Sequence, residues 1–253
     1  MRHPTLPTNM HTTRLWALAL TLAVCSRLTT GCHRASLRPS KMMVADSISG
    51  FSDKQGANGW SYGYWDGTAD ADKKYSQKTD FQLLEDFGDD PIAQLSRRSD
   101  FATGALWMLR DGRYRTKLWA EGGSSNGTTE LTDHARVDHS AVRRWVSTVN
   151  GPVTISGQMA KILPWGARDS GQMQIVVDGS TVFSAAVDPS SALDQPAPVY
   201  IGATSYSVNV MVHIGSLVDF LISPGKAGPA KTDGAYGPVK FTATIRAVST
   251  LPR

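Results

Sequence analysis

Gly171-Gln172-Met173-Gln174-Ile175-Val176-Val177-Asp178-Gly179-Ser180-Thr181-Val182-Phe183 is the stretch from which the fold is read. Met173, Ile175 and Val177 fall on one side of an extended chain, and Gln172, Gln174 and Asp178 on the other. That period of two belongs to a strand with one dry and one wet face. Asp178-Gly179-Ser180 then supplies the positive φ that a tight reversal needs, so the chain returns through Val182 as the second arm of an antiparallel hairpin.

The same punctuation recurs along the chain. Asn58-Gly59, Asp66-Gly67, Asp111-Gly112, Asn126-Gly127, Asn150-Gly151-Pro152 and Asp233-Gly234 bring the Asx-Gly turn signals to seven, a density that suits many short strands. Strand-like runs lie between them: 105–108, 114–119, 141–146, 153–156, 173–177, 181–187, 207–212, 217–222 and 239–248, with Phe241 to Arg246 alternating as a last strand. Only Thr79 to Leu95 competes as a helix, through the spacing of Phe81, Leu84 and Phe87, and Gly88 and Pro91 interrupt it. Composition agrees, with 253 residues, 41% hydrophobic, only 19% charged, and 23 Gly with 13 Pro. The expected architecture is all-β: a single antiparallel β-sandwich of jelly-roll type over residues 48–248, with a short tail at 249–253.

Residues 1–32 read as a signal segment. Arg14 precedes the apolar run Leu15 to Cys25, the length of an export h-region and too short to span a bilayer. A start at Met10 would leave a conventional charged n-region. Leu28-Thr29-Thr30-Gly31-Cys32 resembles a bacterial lipobox, although Thr29 stands where a branched apolar residue is usual and Arg27 intrudes. Acylation of Cys32, ordinary cleavage and an uncleaved anchor are the three outcomes, and acylation is the leading expectation. Residues 33–47, polar and without periodicity, are expected to be a flexible tether. Both cysteines, Cys25 and Cys32, lie in the leader, so the body has no disulfide, thiol nucleophile or thiolate metal site. The formal charge of +4 also sits there: without Arg2, Arg14 and Arg27 the body has 23 basic residues against 22 acidic. Such a balance argues against nucleic acid as a partner.

Phe51-Ser52-Asp53-Lys54-Gln55-Gly56-Ala57-Asn58-Gly59-Trp60-Ser61-Tyr62-Gly63-Tyr64 resembles the opening of a jelly-roll module of secreted bacterial proteins that is similar in appearance to carbohydrate-binding modules. Val142-Arg143-Arg144-Trp145, Gly151-Pro152-Val153-Thr154-Ile155-Ser156-Gly157, the hairpin at 171–179 and Ile214-Gly215-Ser216-Leu217-Val218-Asp219-Phe220 match its later pieces in order. The resemblance covers roughly residues 48–247. Asp169-Ser170-Gly171 departs from its usual acidic G-D-G, which puts a carboxylate role at that turn in doubt.

Flat aromatic faces flanked by amides and guanidinium groups hold sugar rings, and six tryptophans follow the leader: Trp60, Trp65, Trp107, Trp119, Trp145 and Trp165. Each is also a natural core filler. As a strand, Trp60 to Trp65 puts Trp60, Tyr62 and Tyr64 on one face and Trp65 on the other, and one of these sets is expected to be accessible at a sheet margin. Candidate ligand contacts are therefore Trp60, Tyr62, Tyr64 and Trp65, with Arg143 and Arg144 either clamping an acidic sugar or stacking on Trp145. His134, His139 and His213 have neither metalloprotease spacing nor a G-x-S-x-G partner. Asp66, Asp70 and Asp72 offer oxygen ligands for a structural calcium, but no EF-hand pattern surrounds them, and a solvated loop is the leading reading. No catalytic residue, metal site or cofactor is assigned, and the body's few glutamates, Glu85, Glu121 and Glu130, offer a poor start for a glycosidase pair. The leading expectation is an exported, non-catalytic carbohydrate-binding-like module at the bacterial cell envelope, membrane-anchored by lipid or secreted, with a polysaccharide or other glycan as partner. A structural or protein-interaction sandwich and a polysaccharide hydrolase or lyase remain as alternatives.

Overall fold

The computed structural model describes residues 41–89, 105–110, 114–127, 137–163, 171–187, 199–224 and 238–248. The strands, in chain order, are β1 (Lys41–Asp46), β2 (Trp60–Asp66), β3 (Gln82–Leu83), β4 (Asp86–Gly88), β5 (Leu106–Met108), β6 (Lys117–Trp119), β7 (Gly122–Ser124) and β8 (His139–Val146), followed by β9 (Gly151–Leu163), β10 (Gly171–Val177), β11 (Ser180–Val187), β12 (Val199–Val212), β13 (Leu217–Pro224), β14 (Val239–Phe241) and β15 (Thr244–Val248). Among the described residues the strand pairings are all antiparallel and there is no α-helix.

Two sheets result. The smaller runs β11-β10-β13-β8-β2-β3. The larger runs β1-β15-β9-β14-β7-β6-β5-β4, with β12 on the other edge of β9. One side of β9 takes β15 at Val153–Ser156 and then β14 at Met159–Lys161. The run expected as a single strand from 239 to 248 is therefore two strands, stepping at Thr242-Ala243. Gly157 makes that step feasible: any side chain there would overlap the Thr242 carbonyl. The same carbonyl accepts a hydrogen bond from the Tyr206 hydroxyl (2.6 Å).

The two sheets close on one core. Trp60, Tyr62, Trp145, Met173, Ile175, Val218 and Phe220 from the smaller sheet meet Trp107, Leu118, Val153, Ile155, Tyr206, Val239, Phe241 and Ile245 from the larger. This is the expected sandwich, and the period of two produces it directly, because alternate residues of each strand reach the shared interior. The hairpin at 171–187 is present, with Asp178 and Gly179 at φ 46° and 85°.

Two further expectations change. Residues 41–46, placed in the tether, form β1 on β15. Asp46 locks its end: its carboxylate accepts from the Ile48 and Ser49 amides (3.0 Å each) and the Thr244 hydroxyl (2.8 Å), while Val44 and Ala45 pack on the core. A register shift between Met43 and Ala45 breaks the alternation that would have marked this strand. The helical reading of Thr79 to Leu95 also fails over 79–89, where β3 and β4 stand instead. Leu84 and Phe87 face the main core, whereas Phe81 packs on the opposite side of the smaller sheet, so their spacing does not mark one helix face.

Candidate functional site

The opening motif is explained by the backbone it builds. Gly56, Asn58 and Gly59 adopt φ of 80°, 54° and 78°, a sequence of left-handed residues that aims the chain into β2. The Gln55 amide then plugs the strand ladder, donating to the carbonyls of Tyr62 (2.8 Å) and Leu84 (3.0 Å) and accepting from the Tyr62 amide (2.8 Å).

Trp60 and Tyr62 are corrected as ligand contacts, since they are 1% and 0% exposed. Trp60 packs on Phe220, and Tyr62 stacks on Trp107 at 5.7 Å. The face they share with Tyr64 turns toward the larger sheet and closes over everything but the strand's end. Arg143 is corrected for the same reason. It points inward from β8, its guanidinium donating to the carbonyls of Trp119 and Gly122 in the larger sheet, and burial pulls its pKa down.

Arg144 and Trp65 lie on the outer face of the smaller sheet, engaged by the segment that follows β2. Arg144 Nε and NH2 donate to Asp219 Oδ1 and Oδ2 (2.8 and 2.7 Å), and NH2 also donates to the Gln77 carbonyl (2.6 Å). The Tyr75 hydroxyl donates to Asp219 Oδ2 (2.6 Å), and the guanidinium lies 3.9 Å from the Phe81 ring centre. Burial, followed by the neighbouring Asp219 carboxylate, pushes the Tyr75 pKa well up. Trp65 stacks obliquely on Tyr75 and donates its indole N–H to Asp70 Oδ2 (3.1 Å). Gln77 ties the segment down, with its amide on the carbonyls of Val176 and Leu217 (3.2 Å each) and its oxygen on the Gly179 amide (2.6 Å). This cluster is a clasp whose donors and acceptors satisfy one another.

The calcium candidates sit in that clasp. Asp66 Oδ1 accepts the Thr68 and Ala69 amides, Asp72 Oδ1 accepts the Lys74 amide, and the loop carbonyls of Gly67 and Thr68 receive the Lys73 ammonium (2.7 Å each). A cation already occupies the oxygen-rich side of this loop. Among the described residues no three metal-ligating side chains gather. Trp165, His134, Glu130 and Cys32 lie outside the described residues.

At the end of the sandwich where β2 finishes and β8 begins, Tyr64 and Tyr114 stay partly exposed. His139 is buried between two half-buried rings, Tyr64 at 5.0 Å and Tyr114 at 4.7 Å. Its Nε2 faces Asp66 Oδ2 at 3.5 Å, and its Nδ1 is buried without a hydrogen-bond partner. Burial lowers the His139 pKa and outweighs the opposing pull of Asp66 and Asp138, which leaves a neutral imidazole as the spacer between the tyrosines. The Tyr64 hydroxyl donates to the exposed Gln82 amide oxygen (2.8 Å). Burial first, then Asp66, Glu85 and Tyr114, raises its pKa, so the phenol stays protonated and able to donate. The site is thus a pair of aromatic rings with an amide and carboxylates along its rim. Tyr64 belongs to the residues singled out from sequence. Tyr114, Gln82 and His139 as a ring spacer were missed, because strand pairing is what brings such distant positions together: Gln82 lies opposite Tyr64, Asp66 opposite His139, and Asn126, which bridges to His139, accepts from the Arg115 amide beside Tyr114.

No family model and no curated protein matches the sequence. Among solved structures, the C-terminal family 6 carbohydrate-binding module of a marine laminarinase from Zobellia galactanivorans is 13% identical, over 50% of this chain and 81% of its own, at a TM-score of 0.27. A family 35 carbohydrate-binding module from Clostridium thermocellum is 10% identical over 44% and 78%, at 0.26. The cleaved adhesin domain K3 of Lys-gingipain from Porphyromonas gingivalis is 12% identical over 82% and 100%, at 0.36. At TM-scores this low these similarities assign neither site nor ligand.

Proposed function

We propose that this protein is an exported, lipid-anchored, non-catalytic β-sandwich that binds a polysaccharide at the Tyr64–Tyr114 end. The observation that carries the reading is the two half-buried rings flanking buried His139, edged by the Gln82 amide. Sugar C–H groups stack on such faces while amide and phenol groups answer the hydroxyls. Binding is favoured over hydrolysis because the nearby carboxylates are already employed. Asp66 caps the Thr68 and Ala69 amides, and Glu85 lies 3.5 Å from Arg110.

Calorimetric titration of the processed protein with soluble envelope and plant polysaccharides tests this. Tyr64→Ala or Tyr114→Ala should weaken binding about ten- to a hundredfold, the loss expected for a ring that stacks on a planar ligand. Absence of binding across the panel, binding untouched by both variants, or release of shortened product would overturn the reading. Acylation of Cys32 is tested separately: a palmitate analogue should label the wild type and not Cys32→Ser.

A further inference from the structure

We infer that two copies of this protein pair edge to edge through β12, with β11 closing alongside, as a two-fold dimer. β11 ends the smaller sheet, and β12 flanks β9 at one margin of the larger. Both edges lie on one side of the sandwich, where Phe183 of β11 stacks on Tyr206 of β12 at 4.9 Å. Over 180–186 and 205–212, no backbone hydrogen bond outside the ladders to β10 and β9 joins them to another described residue.

An open edge is a row of amides and carbonyls ready to take a further strand, and proteins that stay alone blunt it with charge, proline, bulges or shortness. The other edges are blunted in this way. β3 and β4 are 2 and 3 residues long, β4 begins with Asp86, and β1 ends on Asp46 and slips register between Met43 and Ala45. β11 has 8 residues and β12 14, with neither a charged residue nor a proline among them. β11 is bulged at Val182, but β12 keeps an unbroken register against β9 from Thr204 to Val212. β12 is therefore the flat, uncharged edge that can take a strand.

Symmetry and charge identify the occupant. In a two-fold contact each residue near the axis meets its own copy or a close neighbour, so a charge there would repel itself. No charge stands on either strand. Val182, Phe183, Val208 and Val210, half-buried, line an apolar seam at the core's margin, and a second copy brings the same seam to cover it.

Register places the axis. The exposed residues of β12 fall between Ala203 and Met211, centred on Ser207. Phe183, midway along β11, stacks on the neighbouring Tyr206, so an axis through Ser207 passes the middle of both edges. Ser207 then meets its own copy, and Ser205 meets Asn209, small polar side chains that all stand exposed. The Tyr64–Tyr114 end stays free, since β2 lies four strands from β11, about 19 Å across the sheet. A dimer offers two such ends, and a polysaccharide that reaches both is held by avidity. That gain depends on the glycan reading, and the dimer itself does not.

The test is sedimentation velocity of the processed chain carrying Cys32→Ser at roughly 1–100 μM. A species of twice the chain mass is expected. Ser207→Lys and Ser207→Glu should each weaken the dimer about tenfold or more with thermal unfolding unchanged, and mixing the two should restore it. Facing strands bring Cα atoms within about 4.5–5.5 Å, inside disulfide reach, and the body has no other thiol, so Ser207→Cys should cross-link under mild oxidation. A wild type that stays monomeric throughout, an open-ended polymer, a dimer indifferent to both charges, or one in which Ser207→Cys stays uncross-linked would overturn the inference.

Discussion

Arg144 holds Asp219 with two parallel hydrogen bonds of 2.8 and 2.7 Å across neighbouring strands, and the Asp219 side chain is wholly buried. The pair sits under Tyr75 and Gln77, so one ion pair both spans β8 and β13 and fastens the segment after β2 over them. Removing one partner would strand the other charge in a site with little water.

Asp219→Ala should therefore cost about 3–5 kcal/mol of unfolding free energy. Urea denaturation gives the figure. Arg144→Met/Asp219→Leu should recover a substantial part of it, because an apolar pair leaves no charge behind. A small loss in Asp219→Ala would show that water reaches the carboxylate.

His139 makes stability depend on pH. Its folded-state pKa lies below the ordinary histidine value of about 6.5, because burial disfavours the imidazolium more than Asp66 and Asp138 favour it. In the window between the two pKa values the unfolded chain binds more protons, so stability is full above about 6.5 and is lost as pH falls through that window toward the folded pKa. Melting temperatures from pH 8 to 5 should decline below about 6.5. The decline should shrink in His139→Gln, and an unchanged profile in that variant would assign the effect to another group.

Core and rim aromatics of the same strand should separate cleanly. Trp60→Ala and Tyr62→Ala should each lose about 3–5 kcal/mol of stability. Tyr64→Ala should stay within about 1 kcal/mol of wild type, as its ring is half open to water. Chemical denaturation of the three variants checks this, and equal losses would make the whole strand architectural.

Gly157→Ala should destabilise by about 3 kcal/mol, since its new methyl group would push the Thr242 carbonyl out of reach of Tyr206. Gly179→Ala makes a useful contrast. Nothing lies near its missing side chain, and only its φ of 85° opposes the change, so the cost there should be about 1 kcal/mol. Thermal unfolding of both variants distinguishes crowding from backbone strain.

Local chemistry determined the all-β sandwich. Met173, Ile175 and Val177 alternate, and Asp178-Gly179 turns, whatever the rest of the chain does, because strand period and turn φ are properties of neighbours. β1 was hidden because a register shift between Met43 and Ala45 erased the alternation, and β14 and β15 read as one strand because the break at Thr242 depends on Gly157 across the sheet. Alternation also separated Trp65 from Trp60 and Tyr62 without showing which side would be covered. Tertiary structure decided that. Trp60 and Tyr62 face a second sheet, Arg143 reaches the carbonyls of Trp119 and Gly122, and Arg144 meets Asp219, 75 residues away. The motif pieces that gave the resemblance prove to be architectural for this reason: Gln55 plugs a ladder, Gly157 admits a carbonyl, and Arg144 and Asp219 pair. The Tyr64–His139–Tyr114 cluster joins three positions with no common local signal, since a site made by strand register exists only once the strands have paired.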